Sequence, residues 1–109
     1  MGGLENALNH FIQEITLDSK NLQVYINRGI IYEKIGNKVN ALQDYCQAII
    51  LDSTMSQVFY NRGGLYEEMG LKEKAFNDYC SAIKLNSNYA KIQLTQGYLI
   101  SKMISININ

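Results

Sequence analysis

Shifted by 34 positions, this sequence overlays itself. Residues 22–55 set against 56–89 give 17 identities in 34 positions without a gap. The shared skeleton is Q-V-aromatic-x-N-R-G-x-x-Y-E-x-x-G-x-K-x-x-A-x-x-D-Y-C-x-A-I-x-L-x-S. A fixed period of this length constrains the fold more than any composition figure, because each repeat must then be one supersecondary unit that buries its apolar face against its neighbours. The register continues outward. Ala7, Phe11, Ile15, Leu17 and Ser19 fall where Ala41, Tyr45, Ile49, Leu51 and Ser53 fall, and Gly97 falls where Gly29 and Gly63 do. The chain therefore reads as two full repeats, 22–55 and 56–89, flanked by half repeats at 4–21 and 89–102.

Within a repeat the apolar residues follow helical spacing twice: Val24, Tyr25, Ile31, Tyr32 and Ile35, then Leu42, Tyr45 and Ile49. Gly36 and Gly70 sit where a left-handed residue closes a helix. The spacing predicts helices over Leu4–Leu17, Leu22–Ile35, Lys38–Leu51, Ser56–Met69, Lys72–Leu85 and Tyr89–Lys102, joined by connections so short that neighbours run antiparallel. Gly29, Gly63 and Gly97 lie inside helices, where each costs about 1 kcal/mol relative to Ala. A cost recurring at one register position implies close packing, and the expected partners are Ala41 and Ala75, with Tyr32 and Tyr66 filling the space beside them.

These residues resemble the tetratricopeptide repeat, TPR. Tyr25, Gly29, Tyr32, Gly36, Ala41, Tyr45 and Ala48 match its pattern in one repeat, and Phe59, Gly63, Tyr66, Gly70, Ala75, Tyr79 and Ala82 in the other. The resemblance covers residues 4–102. Ser53 and Ser87 depart from it where Pro is preferred, as do Arg28 and Arg62 where Leu is preferred. It implies an all-α superhelix, a TPR solenoid forming a single domain over 1–103, with a frayed tail at 104–109. The tail, Ile104-Ser105-Ile106-Asn107-Ile108-Asn109, alternates apolar and polar as a strand would, but a short strand without a partner is not stable.

Arg28 and Arg62 each precede an Asp by sixteen residues, Asp44 and Asp78. The expectation is an ion pair inside each repeat. The half repeats agree: the first carries His10 at the Asp position, the last carries Gln96 at the Arg position, and each lacks the other helix. Partly exposed pairs of this kind contribute about 0–1 kcal/mol. Cys46 and Cys80 share a register position on successive repeats. Helix packing then sets them roughly 10 Å apart, too far for a disulfide, so they read as two unpaired helix residues.

Ten Lys and Arg balance ten Asp and Glu. This neutrality argues against nucleic acid as a partner, which rewards clustered basic charge, and against an anionic membrane surface. No apolar run approaches the roughly 18 residues of a membrane span. The opening residues lack a signal peptide's basic and apolar regions. Gly2 suggests N-myristoylation, but Asn6 stands where that motif wants Ser or Thr. Two Cys without a signal peptide point to the cytoplasm. One His and two Cys do not make a four-ligand zinc site, and no nucleophilic triad or phosphate loop is present. Glu5, Glu14, Glu33, Glu67, Glu68 and Glu73 read as a solvated charged face. The chain is expected to be non-enzymatic, with no cofactor and no metal.

The resemblance further implies a concave groove built from the first helices of successive repeats, holding a protein or peptide segment. Its lining positions are Gln23, Ile26, Asn27, Ile30, Glu33 and Lys34 in one repeat. Gln57, Tyr60, Asn61, Gly64, Glu67 and Glu68 correspond in the next, with Lys91, Leu94, Thr95, Tyr98, Ser101 and Lys102 in the last helix. Gly64 leaves a recess in the middle of this unusually apolar strip, and Asn27 and Asn61 can serve a peptide backbone at both its donor and its acceptor. A chaperone-tail receptor of this family clamps a terminal carboxylate with Lys, Arg and Asn. Asn61 and Lys91 fit that set, but Ile26, Ile30 and Thr95 do not. The competing reading is self-association, a homodimer through the half repeats. Leu4, Leu8, Phe11, Ile12 and Ile15 would otherwise partly face water, as would Ile92, Leu99, Ile100 and Met103. A chain cut from a longer array would show the same open faces.

Overall fold

A computed structural model of the chain describes residues 2–86. These form five helices: α1 (Gly2–Leu17), α2 (Leu22–Ile35), α3 (Lys38–Leu51), α4 (Ser56–Glu68) and α5 (Lys72–Leu85). Three match the expected bounds. The first begins two residues earlier than expected, and the fourth stops one residue sooner, with Met69 as its cap. The expected helix at 89–102 and the tail at 104–109 lie outside the described residues. The chain divides into two compact units that part between Ser53 and Thr54. In the first, α2 packs against both α1 and α3; in the second, α4 packs against α5.

The turn inside each repeat is built from one glycine. Gly36 and Gly70 have φ of 93° and 79°, a left-handed conformation that a side chain would strain. The Gly36 N–H donates to the Glu33 carbonyl at 3.0 Å, and the Asn37 N–H to Tyr32 at 2.8 Å. Gly70 and Leu71 repeat this on Glu67 and Tyr66 at 3.0 and 2.9 Å. Both are Schellman ends, which satisfy carbonyls the helix leaves open.

The helix starts differ between the repeats. The Asn21 side chain accepts from the Val24 N–H at 3.4 Å, and the Asn37 side chain from the Asn40 N–H at 3.2 Å. The matching residues Met55 and Leu71 have no side-chain cap.

The first core holds Val24, Tyr25, Ile26, Ala41, Tyr45 and Ala48; the second holds Val58, Leu65, Tyr66, Ala75, Tyr79 and Ala82. The helical glycines admit an aromatic ring, not the small residues expected. A Cβ placed at Gly29 would come within 2.6 Å of the Tyr45 ring, and one at Gly63 within 2.9 Å of Tyr79. The nearest partner is therefore the tyrosine four residues beyond Ala41 or Ala75, whose ring occupies the space a side chain at the glycine would take. Dispersion with a planar ring uses the missing Cβ more fully than contact with another small residue would.

Candidate functional site

Each repeat fixes its first helix to its second with a buried charge pair. Arg28 Nε and Nη2 donate to the two Asp44 oxygens at 2.8 and 2.7 Å, and Arg62 repeats this on Asp78 at 2.7 and 2.8 Å. The pairs lie within the repeat, as the sequence predicts. Their carboxylates are buried, so the small figure for partly exposed pairs does not apply: Asp44 is 3% exposed and Asp78 4%. Each guanidinium also stands between two rings. Arg28 lies 5.8 Å from Tyr25 and 5.6 Å from Tyr32; Arg62 lies 5.7 Å from Phe59 and 5.5 Å from Tyr66. The hydrogen bonds to Asp44 hold the Arg28 guanidinium above its ordinary value, against the opposing effect of burial. A bidentate fork this well satisfied is a structural clamp.

A second pairing is absent from the sequence reading. Tyr45 Oη donates to Glu33 at 2.6 Å, and Tyr79 Oη donates to Glu67 at 2.8 Å. Glu33 and Glu67, read as members of a solvated face, instead anchor the rings that fill the helical glycines. Burial, then the Glu67 hydrogen bond, pushes the Tyr79 phenol well above the ordinary tyrosine value. The signal for this pairing was present: both Glu and both Tyr recur at the 34-residue period.

The expected lining positions divide sharply. On α2, Ile26 is fully buried and offers no surface. Asn27 is engaged, accepting from Gln23 Nε2 at 3.0 Å, and Ile30 is half-buried. On α4, Gln57 is exposed, while Tyr60, Asn61 and Gly64 are half-buried. The Tyr60 ring lies 6.0 Å from Tyr79. A Cβ at Gly64 would meet only the Tyr79 hydroxyl, at 3.7 Å, an ordinary contact. Among the described residues packing thus requires Gly63 but not Gly64, and the matching position in the other repeat carries Ile30. The α4 row therefore brings together an aromatic face, a half-buried amide, a side-chain-free recess and the Tyr79–Glu67 pair. Lys91, Leu94 and Tyr98 lie outside the described residues.

The sequence model of the tetratricopeptide repeat matches residues 22–54 and 56–89. The chain belongs to the TPR family. Among solved structures it is similar to MamA, at 24% identity and a TM-score of 0.85, over 94% of this chain and 60% of MamA. It therefore spans less than two thirds of that protein. It is also similar to the second TPR domain of Spaghetti (RPAP3), solved with the HSP90 peptide SRMEEVD. There the identity is 30% and the TM-score 0.74, over 78% and 79% of the two chains. The Arabidopsis OM64 TPR domain matches at 21% identity and a TM-score of 0.85, over 93% and 84%. No curated protein sequence matches the chain. The fold is that of TPR proteins, whose repeats serve as protein-interaction scaffolds.

No helix among the described residues is long and apolar enough to cross a membrane, and no three His, Cys, Asp or Glu side chains gather there to hold a metal ion. Cys46 and Cys80 form no disulfide, and partial burial raises the Cys80 thiol above its ordinary value.

Proposed function

We propose that the chain is a non-enzymatic TPR interaction module that holds a peptide or protein segment along the α4 row, Gln57, Tyr60, Asn61 and Gly64. The observation that carries this reading is Gly64. A mid-helix glycine costs about 1 kcal/mol, and nothing in the packing of α4 against α5 demands it. It sits beside Asn61, which is half-buried and makes no side-chain hydrogen bond among the described residues. A peptide side chain fits the recess, and the amide can donate to and accept from the peptide backbone.

The RPAP3 domain was solved bound to the HSP90 peptide SRMEEVD. A carboxylate clamp of that family's kind is not the reading favoured for this chain, because Ile26 and Ile30 occupy clamp positions and Ile26 is fully buried. The test is peptide display on the whole chain, followed by fluorescence anisotropy of a selected peptide. Gly64→Leu fills the recess and is expected to weaken that peptide at least tenfold. Undiminished binding by Gly64→Leu would remove the reading.

A second reading, self-association, is favoured by α1. It packs against α2, yet none of its residues is fully buried; Leu17 is 87% exposed and Ile12 39%. The chain's mass in solution, read over a concentration series, tests it.

A further inference from the structure

Helix α4 departs from the sequence of α2 at two positions that lie one turn apart. Gly64 stands where the other repeat has Ile30, and Glu68 stands where it has Lys34. Residues four apart share a helix face, so Tyr60, Gly64 and Glu68 form one stripe, with Glu67 beside it. The glycine opens space on that stripe. The glutamate replaces a cation by an anion at the end of the space. The last turn of α2 carries one charge of each sign, Glu33 and Lys34, whereas the last turn of α4 carries Glu67 and Glu68 and no base.

Both of these carboxylates are exposed, and neither forms an ion pair among the described residues. Arg62 is clamped to Asp78, and Lys74 lies over the Tyr66 ring at 5.6 Å. The two acids also stand at the end of α4 where the helix dipole disfavours anions and favours cations. Like Gly64, they sit where the isolated helix would be better without them.

The same end of the row gathers around one hydroxyl. Tyr79 Oη donates to Glu67 Oε1 at 2.8 Å and lies 3.7 Å from the point a Cβ at Gly64 would occupy. The Tyr60 ring is 6.0 Å from the Tyr79 ring. The charge of Glu68 reaches this hydroxyl as well, adding to the burial and the Glu67 bond that raise the Tyr79 phenol. A recess, aromatic surface and two carboxylates therefore lie together.

These parts match one kind of side chain. Four residues of helix rise about 6 Å, a span that an extended lysine or arginine covers from the recess at Gly64 to Glu68. Such side chains lay an apolar stem on apolar surface and keep the charged head in a polar setting. An aromatic face beside the head adds to the attraction.

We infer that the α4 row takes a basic peptide segment, one lysine or arginine of which lays its stem across Gly64 beside Tyr60 and sets its charged head on Glu68 and the Glu67–Tyr79 pair. This rests on the peptide-binding reading at Gly64 and names the chemistry of the segment. The same carboxylates repel an acidic segment, which gives the row selectivity as well as attraction.

Panning random-sequence peptides on the whole chain and on its Glu68→Lys variant tests this. The substitution installs the residue the other repeat carries at that position, and it leaves the Glu67–Tyr79 bond intact. Peptides selected on wild type are expected to be enriched in Lys and Arg, and that enrichment should fall on Glu68→Lys. By fluorescence anisotropy, a labelled peptide selected on wild type should lose at least about tenfold in affinity for Glu68→Lys. The same peptide with its basic residue replaced by Glu should bind Glu68→Lys better than wild type. A general loss of helix stability cannot produce that exchange of preference.

Selected peptides that Gly64→Leu weakens, but that carry no excess of Lys or Arg, overturn this inference and leave binding at Gly64 standing. So do peptides that bind Glu68→Lys as well as wild type, or an exchanged peptide that recovers nothing on Glu68→Lys. Selection of no peptide, or only of peptides that Gly64→Leu leaves undiminished, removes the Gly64 reading and this inference with it.

Discussion

The repeat of α2 and α3 and the repeat of α4 and α5 solve one packing problem with the same atoms. The glycine beneath the ring, the Arg–Asp fork and the Tyr–Glu bond recur with matching geometry. What differs lies outside that frame. Asn21 and Asn37 cap the helices of the first repeat, whereas Met55 and Leu71 leave the second uncapped. Ile30 stands on the first row where Gly64 stands on the second, and among the described residues Asn27 is bonded where Asn61 is not. The shared set identifies what holds a repeat together. The divergent set identifies where a repeat is less stable than it could be, and that is the row to which binding is assigned.

The largest expected effect should be the same in both repeats. Arg28→Met or Arg62→Met strands a nearly buried carboxylate, and each should lower the unfolding free energy by about 3–5 kcal/mol in urea melts. A large effect in one repeat and none in the other would break the equivalence.

Next come two neighbouring glycines of opposite sign. Gly63→Ala pushes a Cβ into the Tyr79 ring and should destabilise by about 1–3 kcal/mol. Gly64→Ala meets only ordinary contact and should stabilise by up to about 1 kcal/mol through helix propensity. Gly29→Ala, with its closer approach of 2.6 Å, should cost more than Gly63→Ala.

The caps sharpen the contrast further. Asn37→Ala should cost about 1 kcal/mol, and Leu71→Asn should return a similar amount to the uncapped helix. The smallest effect is pH-linked. Tyr79 is held protonated in the folded chain, so the unfolded chain loses its proton first. Stability from this group is complete below the ordinary tyrosine value of 10.0 and declines as pH rises from there toward the folded value. Tyr79→Phe should lack that part of the alkaline decline.

The frame was legible in the sequence because a period of 34 residues states every packing position twice. The ion pairs could be assigned within a repeat because His10 and Gln96 each mark the missing half of one. The ring partner of Gly29 was not legible, since Ala41 and Tyr45 lie one turn apart on the same face and only the depth of helix approach separates them. The Tyr–Glu bonds were missed because a glutamate on a helix surface is ordinarily solvated, and a buried hydroxyl within reach depends on the interhelical geometry. Ile26 was misplaced for a related reason: spacing assigns a residue to a helix face, but not how deeply the packing of α2 against both α1 and α3 buries it.

The most direct test of the account follows the backbone and side-chain amide resonances of the labelled chain while a display-selected peptide is added. The account predicts that the Asn61 side-chain amide and the Gly64 N–H shift most, with Tyr60 next, and that Gly64→Leu abolishes these shifts. Shifts concentrated on α1 or on the outer face of α5, unchanged by Gly64→Leu, would contradict it.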